Sequence, residues 1–192
     1  EELGKTIEAC DASMVFCVTA SFFDGRKWVP VDEAYRSQVE VIQENVDRGV
    51  FVLANHGLTH CRQEDSRSTG FHFWGNRVQH REYMSNRSVA YLRNSLEESQ
   101  SILERAFGKR PEILVPPGHA VSSVATQFCQ DVGIKFVATG SHYQTISIGE
   151  LTLLSNQEFD VLHTRDLVLD LEGRLQEIAA NKQSYRRPYW QD

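Results

Sequence analysis

Short apolar runs alternate along this chain with longer segments in which apolar residues recur every three or four positions. Runs of this kind, bounded by polar or turn-forming residues, are typical of strands buried on both faces. They predict strands over residues 14–20, 50–54, 112–115, 134–138 and 159–162. The run at 50–54 is followed directly by Asn55 and His56, so a polar segment begins where a buried strand should end.

Helical periodicity fills most of the intervals between these strands. It predicts helices over residues 1–13, 31–48, 85–107, 122–132 and 169–182. Gly49 and Gly108 follow two of the helices, which is the usual position of a C-terminal cap, and Ser122 or Ser123 is a suitable N-cap for the fourth. Residues 21–30 and 61–79 are predicted loops, and 184–192 a polar tail.

Alternation of strands and helices predicts an α/β fold with a mainly parallel sheet and right-handed crossovers. The pattern alone leaves open a doubly wound sheet or a barrel. Neither an internal repeat nor a linker interrupts the chain, and 192 residues suffice for one domain with a sizeable core. We therefore expect a single domain over residues 1–192.

Composition and charge narrow the class of protein. Hydrophobic residues make up 41% and charged residues 24%, an ordinary globular balance. The net charge of −6 argues against nucleic acid as a partner, and no apolar run approaches the ~20 residues of a membrane span. The 4 cysteines are scattered without a metal or disulfide spacing. That scatter slightly favours a reducing compartment such as the cytoplasm.

The clearest candidate chemistry is the pair His56 and His60. Neutral imidazole is the commonest protein ligand of Zn²⁺, and two rings four residues apart can share one ion if 57–60 form a helical turn. The alternative is that His56 caps a turn and His60 lies on the surface. Spacing of this length does not distinguish the two by itself.

Other candidate residues follow predicted strands or lie in the long loop. His56, His119, His142 and His163 each follow a predicted strand, and the carboxyl ends of barrel strands meet at one end of the barrel. Trp74 lies in the polar loop 61–79 and is a candidate for substrate contact, with a purely packing role as the alternative. The sequence therefore predicts a site in which several histidines converge.

Three motifs in order resemble those of the polysaccharide deacetylases, carbohydrate esterase family 4. Residues 54–60, Ala-Asn-His-Gly-Leu-Thr-His, resemble the histidine motif of that family. Residues 107–111 and 114–118, ending in Val-Pro-Pro-Gly, resemble the stretch that leads to its Pro-Pro loop. Residues 161–163, Val-Leu-His, resemble its closing motif.

The resemblance implies a distorted, incomplete β/α barrel and a reaction at a divalent metal. In the family one Asp and two His bind the metal, a second Asp is the base and a later His is the acid. His56 and His60 match the metal ligands, for which we expect Zn²⁺, and His163 matches the acid. Pro117 and His119 are expected in the wall of the substrate site, because paired prolines beside a glycine form a rigid edge.

Two departures from the family pattern affect the predicted chemistry. The Asp pair should lie on a strand before the first helix, and this sequence begins at that helix and contains no Asp-Asp. We expect that strand to precede Glu1; the alternative is a degenerate relative. The arginine that usually precedes the Pro-Pro pair is Val115 here, so Arg165 and Asp166 are candidates to replace its charge, with a surface ion pair as the alternative.

The leading hypothesis is a metal-dependent hydrolase that removes N-acetyl or O-acetyl groups from a carbohydrate. A related C–N hydrolase acting on a small non-sugar amide is the second, because a barrel does not fix its substrate. A non-catalytic carbohydrate-binding relative is the third, which the missing Asp pair would permit.

Overall fold

The computed structural model of the chain describes residues 2–60, 82–83, 87–139, 144–155 and 170–180. Its helices are α1 (Glu2–Ala9), α2 (Val31–Ala34), α3 (Arg36–Asp47), α4 (Val89–Phe107), α5 (Ser123–Cys129) and α6 (Leu171–Ala180). Short 3-10 turns occupy Pro117–His119 and Gln130–Val132. None of the described helices is both long and apolar enough to cross a membrane.

The strands within these ranges are β1 (Met14–Val18), β2 (Ser21–Phe23), β3 (Trp28–Pro30), β4 (Phe51–Asn55), β5 (Ile113–Leu114), β6 (Phe136–Thr139), β7 (Ile146–Ile148) and β8 (Leu151–Ser155). Six of them form one sheet in the order β1-β4-β5-β6-β8-β7, while β2 and β3 form a separate hairpin. Within this order the neighbouring strands β1, β4, β5, β6 and β8 pair in parallel, and β7 pairs with β8 antiparallel. The predicted α/β fold with a mainly parallel sheet is confirmed.

Alternating side chains divide the sheet into two faces. The helices pack on one face, where residues such as Leu53, Leu114 and Val137 join two core clusters that α4 connects. On the opposite face a smaller cluster contains Ala54, Ile113, Val115 and Ala138. Helices on one side and small apolar side chains on the other are the arrangement of a barrel wall.

The long helix α4 ends at the predicted residue but begins at Val89, after the predicted start at residue 85. The Ser88 side chain accepts a hydrogen bond from the backbone N–H of Tyr91, and Gly108 ends the helix in a left-handed conformation with its N–H bonded to the carbonyl of Glu104. Both ends are therefore capped, which stabilises the element that carries side chains into both helix-side clusters.

The prediction of a loop over residues 21–30 is wrong in part, because this segment contains the hairpin β2–β3. Its turn is closed by Asp24, whose carboxylate accepts hydrogen bonds from the backbone N–H groups of Arg26 and Lys27, both at 2.8 Å. Each strand has only three residues, so the sequence offers no sustained alternation from which to predict it.

The predicted single helix over residues 31–48 is interrupted at Tyr35, where φ is −138°. The Tyr35 ring packs edge-on against Phe22, with ring centroids 4.8 Å apart. This contact joins the hairpin to the helical segment, whereas the helical periodicity of the sequence continues through the break. Periodicity therefore does not indicate the interruption.

The strands β7 and β8 were not predicted either; they flank a two-residue turn with Gly149 at φ 62°.

Candidate metal site and its comparison with known proteins

Asn55 fixes the end of β4 to the helix side of the sheet. It is wholly buried, and its side-chain N–H₂ group donates to Ser99 Oγ at 2.8 Å and Gln100 Oε1 at 3.2 Å. Its side-chain oxygen accepts from the backbone N–H of Gly57 at 2.7 Å, which turns the chain immediately after the strand. All the polar atoms of this buried amide are satisfied, so the position from which His56 projects is well defined.

His56 leaves the strand on the side opposite to Asn55, as the alternation of side chains requires. Its backbone N–H donates to the carbonyl of Val18 at 2.9 Å, and its Nδ1 lies 2.5 Å from the carbonyl oxygen of Val115. A carbonyl can only accept, so Nδ1 carries the proton and Nε2 the lone pair. This is the tautomer in which a histidine ligates a metal through Nε2 while its other nitrogen is held by the backbone.

His60 lies beside His56, with ring centroids 4.8 Å apart and ring planes inclined at 58°. Residues 57–60 do not form a helical turn: Gly57 has φ 90° and His60 has φ 63°, both in the left-handed region. The two rings are thus brought together by a bent loop. A non-glycine residue in this conformation is uncommon and costs about 1–2 kcal/mol, so contacts elsewhere must hold it.

Glu82 supplies those contacts. Its carboxyl group is wholly buried and accepts hydrogen bonds from three consecutive backbone N–H groups, those of Leu58, Thr59 and His60, at 3.0–3.4 Å. Burial raises the pKa of this carboxyl to about 8, and the three N–H groups and the charge of Arg87 act in the opposite direction. Sequence reasoning missed Glu82, because a lone glutamate after a polar segment has no periodic signal.

Gly57 allows this close approach. A Cβ atom at this position would overlap with Glu82 Oε2 and would lie 3.3 Å from Cγ of Pro117. The backbone carbonyl of Gly57 accepts from the N–H of Ala20 at 2.9 Å, which connects the histidine loop to the segment that follows β1. Glycine is therefore required here both for its φ of 90° and for the space it leaves.

The Pro-Pro loop adjoins the histidine loop. The N–H of Val115 donates to the carbonyl of Asn55 at 2.9 Å, and the N–H of His119 donates to the carbonyl of Pro116 at 2.8 Å. Pro117 is buried, and His119 adopts φ 52°. Of the three non-glycine residues with positive φ in the described ranges, two are candidate site histidines. Strained backbone of this kind clusters at functional sites.

The structure thus places His60 beside His56 and Pro117 beside the loop that carries both, and His119 belongs to the same 3-10 turn as Pro117. The remaining candidates, Trp74, His142, His163, Arg165 and Asp166, lie outside the described residues, as do the predicted strand 159–162 and the tail 184–192.

The two imidazoles fit part of the ligand set of a divalent metal. Their rings are adjacent, and the His56 tautomer presents Nε2. Within the part of the chain that the structure describes, no cluster of three or more His, Cys, Asp or Glu side chains is suited to a metal ion. His56 and His60 are therefore two ligands of a candidate site, and the described residues do not contribute a third.

The mainly parallel sheet, the helices on one face and the histidine pair at the strand ends are typical of a barrel hydrolase with its site at the carboxyl edge. The family model for polysaccharide deacetylases matches residues 2–137, more than half of the chain. The chain belongs to the polysaccharide deacetylase family, whose members are metal-dependent carbohydrate deacetylases. No curated protein matches the chain significantly in sequence.

Solved structures share the fold at low sequence identity. The IcaB protein of Ammonifex degensii matches with a TM-score of 0.54 and 15% identity, over 94% of this chain and 66% of that one. A de-N-acetylase of Aggregatibacter actinomycetemcomitans matches with a TM-score of 0.51 and 13% identity, over 80% of this chain and 62% of that one. The predicted distorted, incomplete barrel is confirmed. The chain spans less than two thirds of the length of either protein.

Proposed function

We propose that this protein is a metal-dependent hydrolase that removes acetyl groups from a carbohydrate. The observation that carries the proposal is the adjacent pair His56 and His60 at the end of β4, in a chain that belongs to a deacetylase family. Deacetylation needs an activated water, a polarised carbonyl and an acid for the leaving group.

His56 and His60 would hold the cation, which we propose to be Zn²⁺. Bound there, it would polarise the acetyl carbonyl and acidify a water. The hydrogen bond between Nδ1 of His56 and the carbonyl of Val115 orients one ligand before any metal binds. Because Val115 also bonds to Asn55 through its backbone N–H, the ring is held between the ends of two neighbouring strands.

The family resemblance assigns His163 as the general acid. Arg165 and Asp166, which follow it in the sequence, are proposed to replace the orienting charge that Val115 does not supply. An imidazole titrates near neutrality and can therefore give a proton to the leaving group and recover it in each cycle. His142 and Trp74 are proposed substrate contacts because of their positions in the sequence: His142 follows a predicted strand, and Trp74 lies in the polar loop 61–79.

Replacing His163 with alanine is expected to lower kcat by roughly 10²-fold, the lower range for loss of a general acid. Zinc content should not change, because an acid is not a ligand. Activated esters, whose leaving groups need less protonation, should lose less activity than an N-acetyl sugar. Steady-state kinetics on both substrates, with zinc measured on the same samples, check this expectation. Loss of zinc would instead make His163 a ligand.

His119 is proposed to line the substrate site together with Pro117. His119→Asn removes the imidazole while retaining a residue that tolerates φ 52°, so it separates chemistry from backbone strain. We expect turnover on an acetylated polymer to fall about tenfold and the melting temperature to stay within ~2 °C, since one half-buried ring contributes little stability. Normal kinetics with a lower melting temperature would assign His119 a structural role only.

The experiment that tests the function is acetate release by the zinc-loaded protein from an N-acetylated polysaccharide, an O-acetylated polysaccharide and a small non-sugar amide. Acetate release from a polysaccharide supports the proposal, and the polysaccharide that releases acetate identifies the bond cleaved, an amide or an ester. Release from the amide alone favours the related C–N hydrolase. Binding of polymer without any release makes the protein a carbohydrate-binding relative and overturns the proposal.

A further inference from the structure

Three consecutive backbone N–H groups of the histidine loop point at one side chain. Oε1 of Glu82 accepts from Leu58 at 3.0 Å and from Thr59 at 3.3 Å, while Oε2 accepts from Thr59 at 3.4 Å and from His60 at 3.1 Å. Successive N–H groups that converge in this way form a concave anion-binding turn, often called a nest. In this protein the nest is filled by a carboxyl group from the same chain.

Glu82 occupies a costly position. Its side chain is wholly buried, and glutamate is almost never fully buried unless it is paired. The next residue, Tyr83, is also wholly buried, and its carbonyl accepts a hydrogen bond from the N–H of Ser122 at 2.9 Å. The backbone at residues 82–83 is thereby anchored to the segment that precedes α5, which keeps the carboxyl group in place.

The carbonyls of the loop bond to the segment after β1, because Gly57 accepts from the N–H of Ala20 at 2.9 Å and Leu58 from that of Ser21 at 2.7 Å. The loop itself is neither helix nor strand. Gly57 and His60 both adopt left-handed conformations, and this conformation is unfavourable for His60 because it carries a side chain. In this conformation of the turn the N–H of His60 donates to Oε2 of Glu82 at 3.1 Å. The geometry of the two imidazoles therefore depends on contacts that the carboxyl group makes with the backbone between them.

We propose that Glu82 is a positioning residue of the candidate metal site: it holds the 58–60 backbone in the bent conformation that places His60 beside His56. Its effect on metal binding rests on the proposed function, whereas its effect on the loop does not. Glu82 is not proposed as a ligand. It acts through the backbone N–H groups of Leu58, Thr59 and His60, the last of which carries the second imidazole.

Glu82→Gln is the most informative variant. A carboxyl group presents two acceptor oxygens to the three N–H groups, whereas a carboxamide presents one oxygen and one N–H₂ group. In either orientation of the amide, a donor faces a donor. We expect amide hydrogen exchange at Leu58, Thr59 and His60 to accelerate, and zinc affinity, measured by competition with a chromophoric chelator, to fall about 10–100-fold, the usual effect of losing a group that orients a metal ligand.

Leu154→Ala is the matched control, because Leu154 is buried in β8 and belongs neither to the core cluster that contains Leu58 nor to the one that contains Tyr83. This control should lower the melting temperature and leave zinc affinity at the wild-type value. The ratio of amide exchange rates in the loop to those in the core should also stay at the wild-type value. If the control loses zinc affinity as Glu82→Gln does, or if Glu82→Gln changes neither exchange nor affinity, the proposal is overturned.

Two further outcomes are informative. If Glu82→Gln does not fold, Glu82→Asp keeps both oxygens on a shorter stem and should show the same two changes in smaller degree; wild-type values in that variant would contradict the proposal. If the wild-type protein binds no zinc, the proposed function fails. The exchange measurement then decides the role of Glu82 alone, since it requires no metal.

Discussion

Replacing His56 or His60 with alanine is expected to lower zinc affinity by at least about 10²-fold. Structural zinc sites with four protein ligands bind with roughly 10–16 kcal/mol, so one ligand contributes about 3 kcal/mol, or about 10²-fold. The loss should be larger at His56, because its ring is already oriented by the carbonyl of Val115 and contributes a preorganised donor. Acetate release should fall below detection in both variants.

Zinc content by mass spectrometry and chelator competition are the measurements for these variants. His80→Ala is the control, because it removes one of the 7 histidines without affecting a residue assigned to the site. Unchanged zinc stoichiometry in both His56→Ala and His60→Ala would show that the pair is not the metal site. Equal losses in all three variants would indicate an unspecific effect of histidine content.

Gly57→Ala should destabilise the domain by ~3–4 kcal/mol. About 1–2 kcal/mol comes from placing a side chain at φ 90°. The rest comes from overlap of the new Cβ with Glu82 Oε2, which accepts from the N–H groups of Thr59 and His60 and cannot move without losing them. The melting temperature and the free energy of unfolding in urea measure the loss.

Gly133→Ala provides the matched control. Gly133 has φ 84°, close to that of Gly57, but a Cβ there would meet nothing within 4 Å. It should cost only the conformational part, about 1–2 kcal/mol. The difference between the two variants isolates the close approach of Glu82 to the loop. Equal losses would mean that φ alone explains the glycine at position 57.

The histidine pair could be predicted because its signals are local. An apolar run followed by Asn55 and two histidines four residues apart is visible in a few residues of sequence, and it led to the correct strand and the correct neighbours. The helical turn that would also bring the two rings together does not form, for a physical reason. Asn55, Ala20 and Glu82 supply hydrogen bonds from outside the segment and hold a bent loop there.

Glu82 could not be predicted, because nothing in its immediate sequence distinguishes it from a surface glutamate. Its role depends on contacts 22–24 residues away along the chain. The break at Tyr35 shares this cause, because it depends on Phe22, a side chain that the hairpin brings against the helical segment. The hairpin β2–β3 was missed for a different reason: its turn is closed locally by Asp24, but each strand is too short to show alternation. Periodicity reports which face of an element is buried, and it carries no information about such partners.

The pairing of β4 with β5 has a consequence for folding kinetics. Ala54 and Asn55 pair with Ile113 and Leu114, so a long crossover that includes α4 must close before this register exists. Contacts between residues so far apart in sequence form slowly, because the entropy of closing the chain is lost before they stabilise it. The carbonyl of Val115 therefore reaches His56 late in folding. A nascent chain that has emerged only as far as α4 carries both histidines without the strand that orients the first of them.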